Sequence, residues 1–374
     1  MVKGGARWRQ GADTCVLKPN AACKEDPVGF PRNMPNMISR IVQRNTYDVL
    51  FESLIKTNFP SLVERGLVVV FTKACSPVYA PDNLKIAPNI NPGSTCIYLD
   101  PTDLNLITPE YSDTYYKWLV KKHNGKVIQF ERARELLRGA ICAAIDLVPD
   151  STQWVIHGDL HMNNILVKQD LYSRPPIPTT VTALADWGRT IAFNPFNLDS
   201  IYEGLRRYLK IQSDKFGPFR SYYDLISHPN VAGGFVPQLS VTVFHAVHEW
   251  LSRFERGYTH VDKFPIMLGA LRGFMVYTLV KQLYIHYKIA QPPNLIDLLT
   301  TKSQVELIEK VNSILPPIVG EPYYKKDFAK AETAASGYGP VLAPAAARAG
   351  PAAGGKQTRR TKRKQKKKSL KNRS

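Results

Sequence analysis

His157-Gly158-Asp159-Leu160-His161-Met162-Asn163-Asn164 is the stretch that decides the fold of this chain. An apolar run, Trp-Val-Ile at 154–156, precedes it, and a second, Ile-Leu-Val-Lys at 165–168, follows it. Short apolar runs bounded by polar residues and glycine read as buried strands, so the stretch is expected to be a tight loop between two strands. On such a loop Asp159 and Asn164, five residues apart, can turn their side chains into one cleft. A third apolar run at 181–185 ends in Asp186-Trp187-Gly188. It puts another carboxylate at a strand end, with glycine permitting a sharp turn.

The chemistry these residues suit is specific. Asp and Asn oxygens are ligands for a hard cation such as Mg2+. Phosphoryl transfer from a nucleotide needs such ligands, a carboxylate to orient the attacking hydroxyl, and a protein cation on the phosphates. Asp159 fits the orienting role, Asn164 and Asp186 the metal-binding one, and the apolar runs supply rigid support.

His-Gly-Asp-Leu-His-x-Asn-Asn-Ile-Leu followed by Asp-Trp-Gly resembles the aminoglycoside and choline phosphotransferase branch of the protein-kinase-like superfamily. The resemblance covers three linked elements in order. It implies a bilobal α+β fold, with a small β-rich lobe over 1–104, a helical lobe over 105–330 and a tail over 331–374. It also implies ATP as substrate, Mg2+ as cofactor, and a protein Ser/Thr or small-molecule hydroxyl as acceptor. The first of these lobes departs from the family pattern. Gly11 to Pro19 looks like a worn glycine-rich loop, with Gly11 and Val16 where that loop keeps its second glycine and its valine. By strand order the position of the nucleotide-binding lysine falls at Arg40, with Lys18 or Lys73 as substitutes. The acid partner on the next helix would be Glu52, or less aptly Glu64. Arg and Lys are not interchangeable at such a site, so an inactive relative acting as a binding or scaffold module is the competing expectation. Asp199 would brace the loop around Asp159, and 97–104 would be the interlobe hinge. The stretch from Gly188 to Asp199 has no Ala-Pro-Glu element, which disfavours a phosphorylation-controlled activation loop.

Elsewhere the pattern is that of a folded α+β chain. With 374 residues, 44% hydrophobic and 10% aromatic, it can bury a large core. Strands are expected at 14–17, 37–42, 67–72 and 95–99, and helices at 47–55, 129–147, 198–209, 239–256, 266–289 and 304–314. The proline-rich 76–93 reads as a loop. The apolar stretch 264–290 contains Arg272, Lys281, His286 and Lys288, so a buried helix is expected rather than a membrane span. No signal-peptide pattern opens the chain. His245 and His248 are expected to pack rather than bind metal, since their order is not that of a metalloprotease helix.

The net charge of +19 is unevenly placed. Eleven Lys or Arg and no acid lie in 356–374. With Arg348 these account for twelve charges and leave +7 for everything before it. The alanine-, glycine- and proline-rich 331–355 cannot bury enough surface to fold. The basic run can bind nucleic acid or an acidic partner by counterion release, serve in nuclear import, or add solubility. Its Gly-Gly-Lys lead also resembles basic C-termini of giant DNA virus proteins, whose divergent kinases similarly show a Gly-x-x-x-Cys-Val-x-x-Pro start. That likeness implies a viral protein of the host cytoplasm or nucleus, or of the virion. Five cysteines without metal spacing are expected as reduced thiols.

Overall fold

The structure, a computed structural model, describes residues 9–10, 15–17, 20–26, 36–42, 47–78, 103–111, 113–121, 127–169, 180–216, 264–318 and 320–328. All the described residues belong to one compact unit within 1–337. The expected strand at 95–99, helix at 239–256, Gly11, Lys18, His245, His248 and the tail lie outside the described residues.

The fold is of the α+β class, with several small antiparallel sheets and helices in separate stretches. Among the described residues the largest sheet has five strands in the order β1-β2-β4-β7-β5. These are β1 (Arg9–Gln10), β2 (Cys15–Leu17), β4 (Met37–Val42), β5 (Lys73–Cys75) and β7 (Leu104–Pro109). Strand β3 (Ala22–Cys23) pairs separately with β6 (Pro77–Val78). β4 carries Arg40 opposite Val16 on one side and Leu106 on the other. Leu104 therefore begins a central strand, and 97–102 of the expected hinge lie outside the described residues. The sheet runs through Pro109, beyond the expected boundary at 104. Helix α1 (Tyr47–Asn58) buries Asp48, Phe51, Glu52 and Ile55, which recur at helical spacing on one face. The short α2 (Pro60–Glu64) follows, opened by a proline in its first turn where no donor is lost.

The expected strand at 67–72 is extended chain with a single parallel bridge, Val68 to Leu184. Its backbone is consumed by other partners. Val69 N donates to Leu184 O at 2.7 Å, Leu67 O accepts from Leu184 N at 3.0 Å, and Thr72 N donates to Ile107 O at 2.8 Å. A continuous apolar run signals burial, but burial here comes from bridging two sheets rather than from a place in one ladder.

The remaining chain is mainly helical. Strand β8 (Asp113–Thr114) leads into α3 (Tyr115–Val120), where the Thr114 hydroxyl caps Lys117 N. Helix α4 (Phe130–Asp146) is buried along most of its length. After it come β9 (Trp154–Ile156), β10 (Ile165–Gln169), β11 (Thr180–Leu184) and β12 (Ile191–Phe193). β10 and β11 form a hairpin in the register Ile165 to Leu184, while β12 pairs with β9. Helices α5 (Leu198–Phe216), α6 (Phe264–Tyr287) and α7 (Gln304–Ile314) complete the described α-helices.

α6 is long and apolar enough by length and composition to cross a membrane, yet 78% of that window is buried inside the protein. It packs on α4 and on the 3-10 turn Leu295–Thr300. Approach to that turn is so close that a Cβ on Gly273 would lie 1.7 Å from Leu298 O.

The reduced thiols expected from the sequence are not found at Cys23 and Cys75, which form a disulfide across 52 residues. Cys15 is also disulfide-bonded. Pairing β3 with β6 and β5 with β7 brings the first two together, a proximity that no local spacing could show. Cys142 is free and buried on α4, where burial pushes its thiol up to about 12.

Candidate functional site

The loop 157–164 is held by its own first residue. His157 is fully enclosed; its Nε2 lies 2.8 Å from Ala185 O, and its Nδ1 accepts from Asp159 N at 3.2 Å. A carbonyl on one side and an N–H donor on the other require the neutral tautomer with the proton on Nε2. Burial pushes His157 below the usual imidazole range, against opposing pulls from the Ala185 carbonyl, Asp159 and Asp186. One histidine thus ties the loop's start to the strand end just before Asp186.

The other half of the loop is tied the same way. Asn164 Nδ2 donates to Asp159 O at 2.8 Å, and Asn164 O accepts from Ala185 N at 2.9 Å. Because a carbonyl acceptor needs the amide nitrogen, Oδ1 of Asn164 is left to face the other way, as a cation ligand must. The 3-10 turn Met162–Asn164 is capped by His161, whose Nδ1 accepts from Asn163 N. Gln282 on α6 reaches in to donate to Leu160 O at 2.9 Å.

Asp186 follows β11 with φ of 68°, in the left-handed region that non-glycine residues seldom adopt. Such strain persists only where the surroundings enforce it, and it marks functional turns. Trp187 supplies the enforcement: fully buried, it donates from Nε1 to Val69 O at 2.8 Å and packs its ring 5.0 Å from His157. The neighbours of Asp186 are thereby sunk, while its own side chain stays exposed. The hairpin register, with Ile165 opposite Leu184, puts Asn164 and Asp186 at the same end.

Arg40 lies on the far side, from the sheet. One terminal nitrogen donates to both carboxylate oxygens of Glu52 at 2.5 and 2.6 Å, and Nε donates to Thr108 Oγ1 at 3.0 Å. Glu52 is wholly buried, and its Oε2 also accepts from Phe71 N at 2.7 Å. Burial disfavours the Arg40 charge, but Glu52, then Asp48 and Asp186, outweigh it and raise its pKa. The Asp186 charge thus acts on Arg40 from the hairpin side. Of the alternatives, Lys73 is engaged by Asp26 at 2.5 Å and Glu64 is exposed on α2. Val16 pairs directly across from Arg40.

Three features were not read from the sequence. Arg189, directly after Gly188, places NH1 3.2 Å from Asp159 Oδ2, with both side chains nearly enclosed. His161 Nε2 is 3.8 Å from the other carboxylate oxygen. Asp48 lies against Gly188, where a Cβ would meet its two carboxylate oxygens at 3.2 and 3.3 Å. An arginine next to an Asp-x-Gly turn was the available signal for the first; nothing local marks the third. Conversely Asp199, expected to brace the loop, is exposed in the first turn of α5, and the bracing falls to His157 and Gln282.

The arrangement is chemically asymmetric. Asn164 and Asp186 lie at the same end of the hairpin, Arg40 is enclosed on the sheet side, and a second acid, Asp159, stands on the same loop as Asn164. Such a donor set fits a hard divalent cation and the anion it accompanies. No known protein-family model matches the chain, and no curated protein matches it either.

Proposed function

We propose that the chain is an ATP- and Mg2+-dependent phosphotransferase of the protein-kinase-like kind. The observation that carries this reading is the Arg40–Glu52 pair, formed between β4 and α1, the helix whose Asp48 also lies against the Asp186–Gly188 turn. A structural ion pair alone has no need of Asp186. A nucleotide held between a cation and a metal ligand does.

In this reading the sheet with α1 is the small lobe and the helical remainder the large one. Their connection falls just after Pro109, and the tail is an appendage. Mg2+ would be held by Asn164 Oδ1 and the Asp186 carboxylate, where it neutralises charge on the phosphates. Arg40, kept in place by Glu52, steadies those phosphates. Asp159 orients the acceptor hydroxyl and takes its proton as the new oxygen–phosphorus bond forms and the bond to ADP breaks. For this the Arg189 contact to Asp159 must yield to the acceptor. The acceptor is a protein Ser/Thr or a small-molecule hydroxyl, and the basic run at 356–374 supplies a nucleic-acid or acidic-partner contact. On the likeness of its two ends, the protein acts in the cytoplasm or nucleus of a virus-infected host cell, or within the virion.

A second reading, a nucleotide-binding module without turnover, is favoured by one observation: Asp159 is already paired with Arg189 at 3.2 Å. ATP binding with and without Mg2+, measured beside phosphate release, separates the two. The enzyme reading expects Mg2+-dependent binding and a turnover that Asp159→Asn removes while binding persists. Binding with no turnover, or turnover unchanged by Asp159→Asn, would overturn it.

A further inference from the structure

α1 meets the site at two points one helical turn apart. Residues at i and i+4 share a helix face, so Asp48 and Glu52 project together. Glu52 takes Arg40 and Phe71 N. Asp48, only 6% exposed, faces the Asp186-Trp187-Gly188 turn, and both its carboxylate oxygens crowd the position a Gly188 Cβ would occupy. The turn it faces contains a residue at φ of 68°. Trp187 pins that turn from the hairpin side through Val69, which leaves the side toward α1 to Asp48.

We infer that Asp48 is a positioning residue, whose carboxylate seats the Asp186–Gly188 turn on α1 and so couples the Arg40–Glu52 pair to the metal ligand. The inference rests on the phosphotransferase reading. Its physical basis is that Gly188 admits the carboxylate where any larger residue would displace it by a few tenths of an ångström. A shift of that size at Gly188 is passed to Asp186 two residues away, because Trp187 between them is packed too closely to absorb it. Residues that orient a metal ligand without touching the metal typically change metal affinity by about 10–100-fold when altered.

The test uses the full chain and reads the Mg2+ concentration that half-saturates ATP binding, together with ATP binding in the absence of metal. Asp48→Ala is expected to raise the Mg2+ requirement by about ten-fold or more, with metal-free ATP binding within about two-fold of the parent. Asp48→Asn, which keeps an oxygen at the contact, is expected to recover part of that loss; a mere field effect of the charge would not be recovered. Gly188→Ala is expected to act in the same direction. The double variant Asp48→Ala with Gly188→Ala should fall short of the product of the two single effects, as residues in contact do. A parental Mg2+ requirement in Asp48→Ala, or full multiplication of the two effects, overturns the coupling. Failure of the parent chain to bind ATP with Mg2+ at all overturns the phosphotransferase reading instead.

Discussion

Arg40 and Glu52 meet through one guanidinium nitrogen that donates to both carboxylate oxygens at 2.5 and 2.6 Å, in a place where Glu52 has no exposure to solvent. A buried pair is weak in net stability but costly to break, because the survivor keeps its charge without a partner. Glu52→Ala is therefore expected to lower unfolding stability by about 3–5 kcal/mol in urea titration, and to weaken ATP binding with it. An unchanged midpoint would show that Arg40 finds another acid, such as Asp48, whose charge already acts on it.

The pH response follows from His157. Its folded-state pKa lies below the ordinary value of 6.5, so the unfolded chain binds the proton more readily between those two values. Stability is then complete above 6.5 and falls as the pH drops below it, by up to about 1.4 kcal/mol per unit for each such histidine. His161 is lowered in the same direction, by burial first and by Arg189 as well, against the pull of Asp186. Thermal unfolding midpoints measured from pH 7.5 to 5.5 should fall, and His157→Gln should flatten part of that slope. A midpoint flat over this range would mean that His157 accepts the proton in place.

On the phosphotransferase reading, Asp186 trades stability for metal binding. Its left-handed backbone costs about 1–3 kcal/mol that glycine would not incur. Asp186→Gly is expected to be no less stable than the parent and up to about 1 kcal/mol more stable, while Mg2+-dependent ATP binding is lost. A destabilised variant with unaltered Mg2+ dependence would make Asp186 a structural residue.

The Cys23–Cys75 bond closes a loop over a sequence separation of 52 and joins β3 to β5. Chain-entropy reasoning gives it about 4 kcal/mol of stabilisation. Cys75→Ser should lose a comparable amount in chemical unfolding. If thiol titration of the unfolded parent under non-reducing conditions counts all five cysteines as free, the bond is not formed in solution.

What the residues alone determine here is local. The strand at 37–42, the helices at 304–314 and near 47–58 and 130–146, and the loop 157–164 follow from periodicity and turn chemistry within a few residues. Asp159, Asn164 and Asp186 stand out because an acid or amide at the end of a short apolar run has few structural uses. Tertiary structure decided the rest. The run at 67–72 has the composition of a strand, but its partners are Leu184, Trp187 and Glu52, and no window around Val69 contains them. The same holds for Arg189 on Asp159, for Gln282 on Leu160 and for the cysteine pair. Periodicity reports which face of an element is buried; only long-range packing says against what. Strand order already favoured Glu52 over Glu64 and Arg40 over Lys73, but that Arg40 and Glu52 meet needed that second kind of information. Both acids sit on helices of plausible spacing, and only one of them faces the sheet.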